Sequence, residues 1–135
     1  MTMLDLTEYD LPNAPEPKAV KAGEERKLRI LSVDSGTDKN GLDYYMPRFE
    51  ITDEPTSKDF TYFLHVPNKE KMNEKQLTRA RWAMKTFCEC FELPLDRPVN
   101  PEDDWPGNEG WAILGMKEDE QYGEQNFIKK FITPK

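Results

Sequence analysis

The sequence predicts a mainly β (α+β) domain in which one long helix separates three strands from two more. Three observations predict it: apolar and polar residues alternate in short stretches, one stretch has helical periodicity, and Pro, Gly and Asn separate the elements. The chain has 135 residues, a net charge of −7 and 36% hydrophobic residues, enough for one small core. We expect a folded domain over residues 24–135 and a proline-containing N-terminal arm over residues 1–23.

The first three strands are predicted around a hairpin turn. Residues 27–33 begin with alternating polar and apolar side chains, and Asp38-Lys39-Asn40-Gly41 is a typical turn because Asn-Gly accepts positive φ. A second strand is predicted over residues 42–52. Its alternation slips at Pro47-Arg48, which indicates a β-bulge there. A third strand, rich in aromatic residues, is predicted over residues 60–66.

One helix is predicted over residues 73–93, with Asn73 as its N-cap and Pro94 after its end. Cys90 falls off its apolar stripe and is expected to be exposed. Residues 94–110 form an irregular connection, and strands are predicted over 111–116 and 125–132. The apolar stripe consists of Leu77, Ala80, Met84, Phe87, Cys88 and Phe91.

This order of elements, β1-β2-β3-α-β4-β5 with a bulged second strand, is that of a five-stranded OB-like barrel. Such barrels commonly bind oligonucleotides across strands two and three and the neighbouring loops. Other α+β domains share the order, and a fold alone does not determine a function. The site has to be argued from particular side chains.

The composition excludes several enzyme classes. A single histidine, His65, excludes multi-histidine metal sites, and Cys88-x-Cys90 lacks the spacing of a zinc ribbon or a redox pair. The sequence has no Gly-rich phosphate loop and no Gly-x-Ser-x-Gly elbow, and no spacing among its 26 carboxylates selects an acid–base pair. We expect a non-catalytic cytoplasmic protein with no cofactor, no metal and no membrane partner.

Short motifs follow one another along residues 20–132. They are Lys21-Ala22-Gly23, Asp38-Lys39-Asn40-Gly41, Arg48-Phe49-Glu50-Ile51-Thr52-Asp53, Val66-Pro67-Asn68, Gly110-Trp111-Ala112 and Tyr122-Gly123-Glu124-Gln125-Asn126-Phe127-Ile128. In their order and spacing they resemble phage-encoded OB-fold single-stranded-DNA-binding proteins. The resemblance implies sequence-tolerant binding of single-stranded DNA in phage replication or recombination, in the host cytoplasm, with replication or recombination proteins as further partners. The basic C-terminal sequence departs from the acidic tail of many such proteins.

Charge is segregated along the chain, which allows a local basic surface on an acidic protein. Residues 69–86 sum to +4, whereas residues 94–128 sum to −7. If Tyr44, Met46 and Tyr62 face the core, cations and aromatic rings share the outer face, as single-strand binding requires. A register shift of one residue would exchange Phe63 with Tyr62. The candidate nucleic-acid-binding residues are Lys27, Arg29, Lys39, Tyr45, Arg48, Phe63, Lys117 and Tyr122.

Trp82 lies opposite the apolar stripe of the helix, beside Lys75 and Arg79. It is either covered by residues 3–11 or 94–106, or it contacts a partner protein, a second copy in a homodimer, or a base. The alternative function is therefore a protein-interaction module on the same fold. An acidic DNA mimic that inhibits a nucleic-acid-binding protein is a further alternative, because carboxylates are concentrated in residues 94–128.

Overall fold

An antiparallel sheet of six strands forms most of the protein in the computed structural model, which describes residues 3–134. Met1, Thr2 and Lys135, at the ends of the predicted arm and domain, lie outside the described residues. The sheet order is β3-β2-β1-β5-β6, and β4 also pairs with β2. The mainly β class is confirmed. The elements are β1 (Glu25–Thr37), β2 (Asp43–Ile51), β3 (Phe60–Thr61), β4 (Leu64–His65), α1 (Glu74–Cys90), α2 (Pro101–Asp104), β5 (Glu109–Asp119) and β6 (Gly123–Ile132).

The bulge predicted in the second strand lies in β1 instead. Ile30 pairs with Phe49 and Ser32 pairs with Arg48, so Leu31 is the extra residue. The bulge changes the alternation of β1, whose buried residues include Leu28, Ile30 and Val33. The prediction of a bulge in β2 is wrong because it does not count Pro47 as a core residue. The Pro47 ring is fully buried, and the side chains of β2 alternate between the two faces without a slip.

The third predicted strand is broken into two short pieces. β3 pairs with β2 at Thr61 and β4 pairs with it at Leu64, while Tyr62 and Phe63 lie between them. The Tyr62 N–H donates to the carbonyl of Pro47 at 3.0 Å, so β2 and this connection stay attached. Tyr62 turns toward the core and Phe63 toward solvent.

The helix begins as predicted and ends earlier than predicted. Asn73 caps it: its side chain accepts the Gln76 N–H at 2.8 Å, and the Gln76 side chain accepts the Asn73 N–H in return. Glu92 takes a left-handed conformation with φ 55°, which ends the helix before Pro94. Cys90, expected to be exposed, is buried because this end of α1 packs on the core.

Aromatic side chains from strands, helix α1 and the chain that follows it fill the core. The ring of Phe49 on β2 stacks on that of Phe91, the C-cap of α1, with centroids 5.5 Å apart, and the ring of Phe131 on β6 lies 5.8 Å from that of Phe87 on α1. Trp105, from the connection predicted to be irregular, is buried against Phe87 at 5.0 Å. Residues 94–110 therefore contribute α2 and a core tryptophan. No helix among residues 3–134 is long and apolar enough to cross a membrane.

A buried asparagine attaches the arm to the sheet. The Asn126 side chain accepts the Val20 N–H at 2.9 Å, and its amide group donates to the carbonyls of Val20 and Gly115 at 3.0 and 3.1 Å. Asn126 is the only polar residue among those described that is buried in this way. Before Val20, residues 3–18 are all exposed.

Replacing Asn126 by alanine should destabilise the protein by more than about 2 kcal/mol, because each buried polar group left unpaired costs about 1–3 kcal/mol. Chemical denaturation measures the change. Asn13→Ala is the matched control, since Asn13 is exposed and its side chain bonds only Asp10 in the arm. Equal stability of the two variants would contradict the role assigned to Asn126.

Candidate nucleic-acid interface

Three aromatic rings lie in a row on the outer face of β2 and β4. The ring centroids of Tyr44 and Phe63 are 4.4 Å apart with 31° between their planes, and those of Phe63 and His65 are 4.7 Å apart, edge to face. Phe63 is 45% exposed. We call Tyr44, Phe63 and His65 the aromatic row. The exposed Phe63 ring and the half-buried Tyr44 ring offer an apolar surface of the kind on which bases stack.

The position of Tyr44 is set by its strand partners and by a glycine on β1. Tyr44 pairs with His65 across β2 and β4, and with Gly36 across β2 and β1. A Cβ atom on Gly36 would lie 2.5 Å from the Tyr44 hydroxyl oxygen and 2.7 Å from the adjacent ring carbon. Because glycine has no Cβ, the Tyr44 ring can lie across β1 and still contact Phe63.

Asp38 ties the loop between β1 and β2 to the aromatic row. Its carboxylate accepts the N–H groups of Asn40 and Leu42, both at 2.9 Å, and lies 3.0 Å from Nε2 of His65. The Leu42 N–H and then the His65 contact hold the pKa of Asp38 below its ordinary value. Lys39 is exposed at the tip of this loop. The loop thus presents a cation beside the aromatic row.

A groove lies along the outer face of β2, where Met46 and Arg48 follow Tyr44 on the same face. It has a volume of about 1610 Å³ and lies between the arm, the loop after β2 and the β5–β6 turn. Met46 and Arg48 line it, and the Lys58 ammonium donates to the carbonyls of Tyr122 and Glu124 at its rim. Its charged lining residues are Lys18, Arg48 and Lys58 with the carboxylates Glu16, Asp53, Glu54, Asp59 and Asp119. Arg48 forms no salt bridge with any carboxylate of residues 3–134.

Lys27 and Arg29 lie on the outer face of β1, as predicted, but among carboxylates. Arg29 donates to Glu50 at 2.9 Å and to Glu109 at 2.8 Å, and the Lys27 ammonium lies 3.4 Å from Glu109. The hydrogen bond with Glu109 raises the pKa of Arg29, and the same bond lowers the pKa of Glu109. Both cations are therefore already compensated, and a phosphate would have to compete with these carboxylates.

Tyr45 faces the core, which corrects the expectation that it points outward. It pairs with the buried Leu64 and packs against the buried Trp105, with ring centroids 5.7 Å apart. The cause is the phase of β2: Tyr45 shares its face with Pro47 and Phe49. Tyr44, which was assigned to the core, takes the outward position.

Lys117 and Tyr122 lie on the β5–β6 hairpin. Tyr122 is exposed and lines the same groove as Arg48, whereas Lys117 is exposed on β5 with its ammonium 6.0 Å from the Phe127 ring. Arg48 and Tyr122 thus both line the groove, Phe63 belongs to the aromatic row, and Lys39 lies on the loop that Asp38 ties to that row.

Trp82 is uncovered on the surface of α1. It is 66% exposed, and the Lys85 ammonium lies 5.3 Å from its ring centroid. Neither residues 3–11 nor residues 94–106 pack over it, which removes the first of the two interpretations of this side chain. Lys75 and Arg79 line a shallow depression on the same helix.

Cys88 and Cys90 are free thiols and both are buried. Burial raises the pKa of Cys88 and of Cys90 to about 11, so both are protonated at neutral pH. Within residues 3–134, no cluster of three or more His, Cys, Asp and Glu side chains is arranged to hold a metal ion. The surface features that remain are stacking rings, a groove and exposed cations.

Sequence reasoning missed Tyr44 and the contact between Asp38 and His65. A signal for Tyr44 was present: counting Pro47 as an apolar core residue puts Tyr45, Phe49 and Ile51 on one face without any slip. No comparable sequence signal predicts that Gly36 pairs with Tyr44 or that Asp38 lies close to His65. Both contacts depend on strand register.

Acidification should loosen the Asp38 loop only at low pH. Because the folded-state pKa of Asp38 lies below 3.8, its contribution is present above pH 3.8 and is lost as the pH falls through the folded value. We expect the Asp38 carboxyl to titrate below pH 3.8 by NMR, with loss of Leu42 amide protection in the same range. A titration midpoint at or above 3.8 would contradict the contact geometry.

Gly36→Ala should displace the Tyr44 ring while the protein stays folded, because the added Cβ meets only the far end of a side chain. The expected result is a change in the ring-current shifts of Phe63 and His65 by NMR, with little change in the unfolding midpoint. Ser32→Ala is a control for a change elsewhere on β1, since Ser32 is exposed on the same strand as Gly36. Unchanged Phe63 shifts in Gly36→Ala would contradict this placement of the ring.

Comparison with known proteins does not assign the chain to a family. No protein-family model matches the sequence, and a search of curated proteins finds no match. The resemblance to phage single-stranded-DNA-binding proteins, drawn from short motifs, therefore stays a prediction. The functional argument rests on the geometry of the aromatic row and the groove.

Proposed function

We propose that this protein binds single-stranded DNA, without catalysis, across the outer face of β2 and β4. The observation that carries the proposal is the contact of Tyr44 with the exposed Phe63 ring beside the β1–β2 loop. Bases would stack on these two rings and the strand would continue into the groove past Arg48. The proposed residue set is Lys39, Tyr44, Arg48, Phe63, Lys117 and Tyr122. It omits Tyr45, which packs on the core, and Lys27 and Arg29, which pair with carboxylates.

We infer that the sheet is curled into an OB-like barrel. The strand order supports this, because β1 is central and pairs with both β2 and β5. The two ends of the order also approach each other: Tyr62, next to β3, meets Phe131 of β6 edge to face at 5.0 Å. In such barrels the outer face of strands two and three is the usual site for oligonucleotides, which is where the aromatic row lies.

Stacking suits an acidic protein better than phosphate contacts do. Each base–aromatic stack contributes about 1–3 kcal/mol and every base offers a flat face, so this mode tolerates sequence. A duplex keeps its base faces stacked internally and cannot use the rings. Because the proposed set has only Lys39 on the β1–β2 loop and Arg48 on β2 as cations of this face, the counterion contribution is small, about −0.7 in the salt slope per phosphate contacted.

Phe63→Ala and Tyr44→Ala should each weaken binding of a fluorescent oligothymidine by about 5- to 150-fold, which corresponds to about 1–3 kcal/mol. Fluorescence anisotropy measures the affinity. Trp111→Ala is the matched control, because Trp111 is 48% exposed on β5, two strands away from β2. We expect less than a twofold effect from it. A loss in the control as large as in Phe63→Ala would contradict the assigned surface.

Salt dependence separates the two kinds of contact. Arg48→Ala should reduce the slope of log K against log salt by about 0.7, whereas Phe63→Ala should leave the slope unchanged. Duplex DNA of the same length should bind much more weakly. Equal affinity for duplex would indicate a nonspecific charge effect, and no binding of the oligothymidine at low salt would favour the protein-interaction module instead.

A further inference from the structure

Among residues 3–134, two surfaces of opposite charge are exposed and not covered by any other described part of the chain. The first is the acidic arm, which we define as residues 3–13. It carries the carboxylates Asp5, Glu8 and Asp10 and has no Lys or Arg. Its apolar side chains are exposed as well, Met3 by 90% and Leu4 by 81%. A short segment with this many uncovered apolar groups gains stability when another surface covers it.

The acidic arm has local structure of its own. It forms two 3₁₀ turns, Thr7–Tyr9 and Leu11–Asn13, and none of the residues in them is buried. The Asp5 carboxylate accepts the backbone N–H and the hydroxyl of Thr7 at 3.0 and 2.7 Å. Part of the conformational entropy that binding would remove is therefore already lost in the free chain.

The second surface is the basic helix face, which we define as Lys75, Arg79, Trp82 and Lys85 of α1. Trp82 supplies a large apolar area, and Lys75 and Arg79 line, together with Glu74, a depression of about 560 Å³ in the first turns of the same helix. Across α1, four cations outnumber two carboxylates. Of these two, Glu89 pairs with Lys85 at 3.7 Å. This face matches the acidic arm in both charge and apolar content.

The geometry points to docking of the acidic arm of one molecule on the basic helix face of a second copy. Apolar side chains of the arm would cover Trp82, and Asp5 and Glu8 would meet Lys75 and Arg79. Within one chain both surfaces stay exposed while the arm is attached at Val20 by Asn126, which favours a partner in trans. This inference does not depend on nucleic-acid binding.

The proposed contact is head to tail, because the arm and the helix face are different patches. Such heterologous contacts form open chains unless their rotation closes a ring. Stable complexes bury at least about 1,200 Å² of accessible surface in total, and a short arm buries less. We therefore expect the association to be weak and to depend on concentration. Added salt weakens it further, since its ion pairs lie at the surface.

Sedimentation velocity of the full chain without nucleic acid tests the inference. The mean mass should rise with protein concentration and fall with added salt. Trp82→Ala, Arg79→Glu and deletion of the residues through Asn13 should each give monomers, whereas Trp111→Ala should associate like the unchanged chain. All these changes affect exposed residues, so an unchanged unfolding midpoint confirms that each variant is folded. A full chain that stays monomeric, or association that survives Trp82→Ala, would overturn the inference.

Mixing two defective variants tests the head-to-tail arrangement directly. The arm-deleted protein keeps its helix face, and Arg79→Glu keeps its arm. Their mixture should form a 1:1 dimer that does not grow, although each is monomeric alone. No dimer in the mixture would overturn the proposed contact. The inference would also be overturned if the full chain is a monomer and Trp82 becomes more exposed when the arm is deleted. That result would place the arm on the helix of its own molecule.

Discussion

The buried position of Pro47 in β2 determines which aromatic side chains reach solvent. Because strand residues alternate between faces, a buried Pro47 sets Tyr45 and Phe49 inward, and Tyr44 and Arg48 outward. The bulge at Leu31 lets β1 follow this phase while Ile30 and Val33 both stay in the core. A shift of one residue in β2 would bury Tyr44 and expose Tyr45, and the aromatic row could not form.

Local signals in the sequence were sufficient for the elements that depend on neighbouring residues. The N-cap of α1 at Asn73, the turn at Asp38–Gly41 and the β class all follow from short-range pattern and turn chemistry. Phe63 faces outward as the alternation of the third strand predicts. Features set by contacts distant in sequence were missed, among them the burial of Trp105 from an apparently irregular connection and the bonds from Asn126 to Val20, 106 residues away.

The ion pairing of the strand cations was the feature that the sequence predicted least well. Lys27 and Arg29 looked like free cations because their nearest neighbours along the strand are apolar. Their compensating carboxylates come from β2 and β5, and Glu109 lies 80 residues from Arg29. Net charges summed over stretches of sequence do not reveal such pairs, because residues on neighbouring strands are distant in sequence. Lys39 in the β1–β2 loop and Arg48 on the outer face of β2 form no salt bridge with any carboxylate of residues 3–134.

This pairing bears on selectivity under the proposed function. A sheet face covered with uncompensated cations would attract any phosphate chain, duplex included, and its binding would be dominated by counterion release. Where carboxylates hold the three cations of β1, phosphate attraction is weak and the binding free energy depends on the rings. Unpaired bases can use the rings and stacked pairs cannot. The net charge of −7 therefore favours discrimination between the two forms, at the expense of a slower association.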